Sequence, residues 1–168
     1  SLIYDRKGVI EMNMVFSDIG LTTDVTLISV GNMSASTKDI YTLFDSLAQA
    51  GVDVDMISQP ASWGSDISLS FTVDDHALSD VVLGLGALKK RYPNIRTDIN
   101  SGNFKLHFTA EEMLGKPGVT AYLLGLFCKA DIDVKMISTS EIDISLLIDS
   151  AHYSAALQLL ETTFDKVF

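Results

Sequence analysis

A shift of 80 residues lays one half of the chain on the other without a gap. It sets Met33 on Met113, Leu43 on Leu123, Ala50 on Ala130 and Asp53 on Asp133. The same shift brings Val54-Asp55-Met56-Ile57-Ser58 onto Val134-Lys135-Met136-Ile137-Ser138. Beyond that span, Asp66-Ile67-Ser68-Leu69 matches Asp143-Ile144-Ser145-Leu146 at a shift of 77, which implies three extra residues in the first copy. They fall in Pro60-Ala61-Ser62-Trp63-Gly64, a turn-rich stretch where added length costs little. An internal repeat of this extent means one structural unit used twice. Each unit has about 70 to 80 residues, within the range of a small independent domain.

Both copies carry the same succession of patterns. Val25 to Val30 is a β-branched run, the mark of a strand. Ile40, Leu43, Phe44, Leu47 and Ala48 recur at three- and four-residue spacing, an amphipathic helix that ends near Gly51. Val52, Val54 and Met56 alternate with Asp53 and Asp55, as in a strand with one buried face, and Ile67, Leu69, Phe71 and Val73 do the same. A second helix follows over Ala77 to Leu88, then a strand from Ile95 to Ile99. Gly84-Leu85-Gly86 lies inside that helical pattern and is no phosphate loop. The order is βαββαβ, an α+β ferredoxin-like unit with both helices on one face of a four-stranded sheet. The second copy supplies Phe104–Phe108, a helix over Val119–Ala130, strands at Ile132–Ile137 and Ile142–Ile148, and a helix from His152 to Phe164. No fourth strand follows. We therefore expect Gly8–Phe16 to complete the second sheet, because an open edge invites aggregation. The first unit would span 17–101 and be nested in a second made of 8–16 plus 102–168, with 1–7 a remnant of whatever precedes them.

Composition narrows the function. Hydrophobic residues are 47% of the chain, enough for two cores, and no apolar run reaches the ~20 residues of a membrane span. A formal net charge of −10 repels phosphate and argues against nucleic acid. The single Cys128 cannot form an internal disulfide, which fits a reducing cytoplasm. His76, His107 and His152 have no metal-ligand spacing, so no metal is expected. The chain begins Ser1-Leu2, which reads as a piece of something longer.

Gly115-Lys116-Pro117-Gly118-Val119, the helix to Ala130, and the run Met136-Ile137-Ser138-Thr139-Ser140-Glu141-Ile142 followed by Ile144-Ser145 closely resemble the C-terminal ACT domain of aspartate kinases. Val25-Thr26-Leu27 and Val52 to Gln59 resemble the ACT domain before it, so the likeness spans roughly Gly8 to Phe164. The resemblance implies tandem ACT domains that pair across a homodimer and bind an end-product amino acid, L-lysine or L-threonine. It also implies feedback inhibition of a kinase domain in the parent chain. That domain would hold the aspartate site, ATP and Mg; no cofactor and no catalytic site is expected in the residues present here.

An amino-acid effector needs N–H donors for its carboxylate and an acceptor for its ammonium. Gly31 to Thr37 precedes a helix, and Asn32, Met33 and Ser36 resemble the loop of lysine-sensitive members. Asp55 matches an acidic position those members use on lysine, and Gln59 an effector-contact position. The candidate site of the first copy is thus Met33, Ser34, Ala35, Ser36, Val54, Asp55 and Gln59. In the second copy Lys135 replaces Asp55 and would repel a lysine side chain. Its candidates are Asp133, Val134, Ser138, Thr139, Ser140 and Glu141, contributing to a site shared across the dimer. Blander readings stand beside these. Asp53 and Asp55 also suit the solvated face of a strand, Ser36 suits a helix N-cap, and Met33 suits packing under the loop. Thr37-Lys38 stands where the second copy has Pro117-Gly118, which leaves open a dimerisation module with a degenerate ligand site.

Overall fold

A computed structural model describes residues 16–61 and 66–164. The chain divides into two compact units, one of residues 23–103 and one of residues 1–22 with 104–168.

The unit of residues 23–103 takes its first strand from β1 (Asp18–Ser34), followed by α1 (Thr37–Gln49), β2 (Ile57–Ser58), β3 (Asp66–Asp74), α2 (Leu78–Arg91) and the first part of β4 (Arg96–Thr109). The strand order is β2-β3-β1-β4, which is the βαββαβ arrangement expected from the periodicities. Antiparallel pairing sets Ile28 opposite Phe71 and Val30 opposite Leu69. These four side chains point to the helices and pack with Leu43, Leu47, Val81, Leu85 and Leu88 in one core. Strand alternation leaves Ser29 and Ser70 on the other face, where their hydroxyls lie 2.9 Å apart. Two bare helical faces close over one sheet face, and that burial supplies the driving force.

The stretch 52–56 keeps the expected alternation, with Val52 and Met56 buried and Asp53 and Asp55 exposed. Only Ile57 and Ser58 complete a regular ladder there, because the Met56 N–H donates to the buried Thr72 hydroxyl at 3.0 Å. The ladder continues irregularly, through Asp55 N–H to the Thr72 carbonyl and Thr72 N–H to the Met56 carbonyl.

The other unit uses the second part of β4, then α3 (Val119–Lys129), β5 (Val134–Thr139), β6 (Asp143–Asp149) and α4 (Tyr153–Thr163). Its order is β5-β6-β4-β1. The edge strand beside β4 is the start of β1, residues 18–22, and the Ser17 N–H reaches the Thr109 carbonyl at 2.8 Å. Of the strand expected at Gly8–Phe16, residues 8–15 lie outside the described residues. Phe16 packs on Phe108 and Phe164, at ring separations of 5.2 and 5.4 Å. Phe104, Leu106, Phe108, Leu123, Phe127, Ile144, Leu146 and Leu160 form this unit's core.

Two expectations need correcting. The strands expected at Ile95–Ile99 and Phe104–Phe108 are not separate but belong to the single β4, which starts one residue after Ile95. Gly102, left-handed at φ 72°, and the Asn103 amide, which donates to the carbonyls of Val25 and Asn100, carry the strand through a stretch that has the composition of a turn. The repeat register also differs beyond the insertion. Ser58 pairs with Ser70, and Ser138 with Ser145, so Ser70 rather than Ser68 is equivalent to Ser145. Asp74 and Asp149 agree, each accepting a backbone N–H two residues on at the start of a 3-10 turn. The equivalence there is a shift of 75, and the first copy carries five extra residues rather than three. Residues 62–65 of that insertion lie outside the described residues.

Candidate functional site

The expected first-copy site begins where β1 ends. A register shift between Val30 and Met33 makes a bulge, with Asn32 left-handed at φ 56°. The bulge turns Met33 inward, and its side chain is fully enclosed in the core. Residue 33 therefore offers the loop its backbone, not its thioether. Ala35 packs against the same core, while Ser34 is exposed and its hydroxyl accepts the Ser36 N–H at 3.2 Å.

Ser36 is the N-cap of α1, its hydroxyl accepting the Asp39 N–H at 3.2 Å and donating to the Asp39 carboxylate at 2.8 Å. Tyr92, at the end of α2, also donates its hydroxyl to Asp39. These two donors, Tyr92 first, hold the Asp39 carboxyl below its ordinary range, and the same bond raises the Tyr92 phenol. An internal carboxylate thus already stands at the first turn of α1, favoured there by the helix dipole. Sequence reasoning missed Asp39, although Ser36-Thr37-Lys38-Asp39 has the spacing of a capping box. Tyr92 lies 53 residues further on, and no local pattern announces it.

The second copy begins its helix differently. Gly118 is left-handed at φ 96° and provides no side-chain cap, and no acid stands in the first turn of α3. Replacing Pro117-Gly118 by Thr37-Lys38 lets α1 start two residues earlier in the repeat than α3.

Asp55 and Gln59 are exposed beside β2, and Val54 is half-buried under it. Met33 pairs with Ile67, whereas the Asp55 N–H bonds the Thr72 carbonyl, five residues along β3. At about 3.3 Å per residue, the loop backbone and Asp55 are about 17 Å apart along the sheet. Gln59, just beyond Ser58 and its partner Ser70, lies toward the loop end. Within one unit the register gathers the loop and Gln59 but not Asp55.

In the second copy Lys135 donates to Asp149 at 2.7 Å and, with the Ala151 N–H, lowers the Asp149 carboxyl. The first copy has an acid, Asp55, in place of this lysine, and its Asp74 instead holds the His76 ring at 2.7 Å. Asp133 and Val134 line a cavity of about 210 Å³ with Phe127, Cys128 and Ile132. Ser138, Thr139, Ser140 and Glu141 are all exposed. Ser140 closes the β5–β6 turn, its N–H reaching the Asp143 carbonyl at 2.8 Å and its hydroxyl the Asp143 carboxylate at 3.2 Å.

One polar cluster was not anticipated. On the sheet face opposite the core, His107 touches the Ser145 hydroxyl at 2.9 Å, Thr109 at 3.1 Å and Asp143 at 3.3 Å, and Thr109 donates to Asp143 at 2.8 Å. These are alternate positions of neighbouring strands, and the contacts tie β4 to β6 as cross-strand pairs do. Among the described residues no group of three or more His, Cys, Asp or Glu side chains is placed to hold a metal ion. No helix among them is long and apolar enough to cross a membrane.

Comparison with known proteins accords with this architecture. Residues 109–164 match the model of an ACT domain family. The aspartokinase of Bacillus sp. strain MGA3 is 27% identical over 165 residues, 97% of this chain and 40% of the relative. The structure of aspartate kinase from Synechocystis superposes with a TM-score of 0.79 at 26% identity, over 89% of this chain and 26% of that one. The regulatory subunit of aspartate kinase from Thermus thermophilus, in a ligand-free form, shares the fold with a TM-score of 0.77 at 24% identity, over 89% of this chain and 98% of that one. Two βαββαβ units of ACT architecture define the class. Within it, the chain is similar to an aspartokinase over nearly its whole length, and spans about 40% of the length of that relative. The Thermus regulatory subunit, alike in fold, is covered almost end to end.

Proposed function

We propose that this chain senses an end-product amino acid, lysine or threonine, and transmits its binding to the catalytic part of an aspartate kinase as feedback inhibition. The observation that carries the proposal is the duplicated ACT unit joined to sequence similarity with aspartokinases over nearly the whole chain. Exposed Asp55 and Gln59 favour an ammonium-bearing effector. The 17 Å or so between Asp55 and the loop of its own unit favours a site completed by a second sheet edge, hence a homodimer. The effector would bias one arrangement of that dimer by about 1 to 3 kcal/mol, the usual range of allosteric coupling. The whole protein would act in the cytoplasm, with ATP and Mg in the kinase domain.

Titration calorimetry with lysine and with threonine tests the reading. One of them should bind, and Asp55→Ala should weaken a lysine complex roughly tenfold or more, the loss expected for a hydrogen bond to a charged group. Equal affinity in wild type and variant removes Asp55 from the site. A second reading is favoured by one observation, the self-capped start of α1, where Ser36, Asp39 and Tyr92 already satisfy one another. On that reading the units are dimerisation modules, and neither amino acid gives heat or a thermal shift.

A further inference from the structure

The duplication lets one copy of the unit inform the other. In the second copy the Lys135 ammonium lies 2.7 Å from the Asp149 carboxylate, tying β5 to the end of β6. The first copy keeps the backbone of this arrangement. Met136 stands opposite Leu147, and likewise the Thr72 N–H reaches the Met56 carbonyl, so residues 55 and 135 precede equivalent pairs. Asp74 and Asp149 are equivalent as well, each accepting the N–H two residues on. What differs is the source of the nitrogen that the carboxylate holds. Asp55 replaces Lys135, and His76 stands where the second copy has Ala151. The partner has moved from a lysine on the neighbouring strand to a titratable ring on the next turn.

Lys135 thus marks where an ammonium sits on this backbone. In the first copy the two residues that share that point are both acids, an arrangement that suits an ammonium supplied from outside. Asp74 is also the more open of the two equivalent carboxylates, its side chain 61% exposed against 39% for Asp149. We propose that Asp74 joins Asp55 in holding the side-chain ammonium of a lysine effector, and that the protonated His76 ring competes for Asp74. The inference rests on the amino-acid sensing proposed above and adds its regulation by pH. The Asp74 carboxylate touches the ring, and Asp24 and Asp75 face it with further negative charge, so all three favour the protonated form. Asp75 is itself held by the Thr26 hydroxyl. As pH rises through the His76 midpoint, the ring loses its charge and releases Asp74. A lysine side chain, with an ordinary pKa of about 10.4, keeps its own charge over that range. Affinity for lysine therefore increases with pH. Exposed pairs of this kind are weak, so the increase should be about two- to fivefold.

Titration calorimetry of the whole chain with L-lysine tests this, at about pH 6 and about pH 8, on either side of the ordinary histidine midpoint. Wild type should bind more tightly at the higher pH. His76→Ala should abolish that difference, binding at the lower pH as tightly as wild type does at the higher. Asp74→Asn should weaken lysine about fivefold or more at the higher pH, through loss of a bond to a charged group. Its circular dichroism should be unchanged, because asparagine caps the turn as aspartate does. Lysine affinity indifferent to Asp74→Asn, or a pH dependence that survives His76→Ala, would overturn the inference and leave lysine sensing in place. Binding of threonine alone would overturn it and retain amino-acid sensing. No heat from either amino acid would remove both.

Discussion

Gly84 of α2 packs directly against the backbone of α1, and Gly84→Ala separates two opposed effects. A Cβ built there would lie 3.1 Å from the Ser46 carbonyl oxygen and 3.2 Å from Leu47 Cδ2, where ordinary contact begins near 3.4 Å. Leu47 can move its side chain end, but the carbonyl belongs to the backbone of α1, so α1 and α2 must part by a few tenths of an ångström. Overpacking of this kind costs about 1 to 3 kcal/mol. Against it, alanine gains about 0.8 to 1 kcal/mol over glycine inside a helix. The net expectation is a loss of about 0 to 2 kcal/mol. In a unit of this size each kcal/mol corresponds to about 4 to 8 °C in melting temperature. Gly125 supplies the control, because it lies inside α3 with nothing within 4 Å of an added Cβ. Gly125→Ala should therefore show the propensity gain alone, about 0.5 to 1 kcal/mol of stabilisation. Urea denaturation of the three proteins gives both numbers. Equal stabilisation by the two alanines would show that the α1–α2 contact yields freely, and the close-packing argument would fall.

Two further outcomes follow from the same geometry. Thr72→Val removes the acceptor of the Met56 N–H in a buried setting and should destabilise by about 1 to 3 kcal/mol, with faster hydrogen exchange at Met56; unaltered exchange would contradict the role given to the hydroxyl. The bond from Asp74, then its charge, raises His76 above its ordinary value of 6.5. The contribution of this pair to stability is present in full below that value and fades as pH rises through the raised one. An NMR titration should place the His76 midpoint above 6.5 and Asp74→Asn should lower it, while identical midpoints would exclude the contact.

Legibility from sequence followed the range of the interactions. The repeat, the four helices and the alternation at Val52–Met56 are local periodicities, and burial reproduces them. The helix ends were readable for the same reason. Gly51 and Asp131 are both left-handed, at φ 80° and 57°, and the next N–H in each case returns to the helix, Val52 to Leu47 and Ile132 to Phe127. What stayed hidden depends on strands that meet late. The unity of β4 rests on the Asn103 amide reaching the Val25 carbonyl, 78 residues away, and the true size of the insertion on which serine of β3 faces Ser58. The candidate site divides along the same line. The loop, its cap and the exposed acids are visible residue by residue, but whether they converge is a matter of register. Register separates Asp55 from the loop, and Asp39 with Tyr92 closes the helix start from within. An effector that binds here must therefore either bridge two sheet edges or displace an internal hydrogen bond, and Tyr92→Phe distinguishes these routes. It removes the Tyr92 bond to Asp39, leaves that from Ser36 and touches neither edge, so it should leave affinity unchanged if the site lies between edges and alter it if the ligand competes for the start of α1.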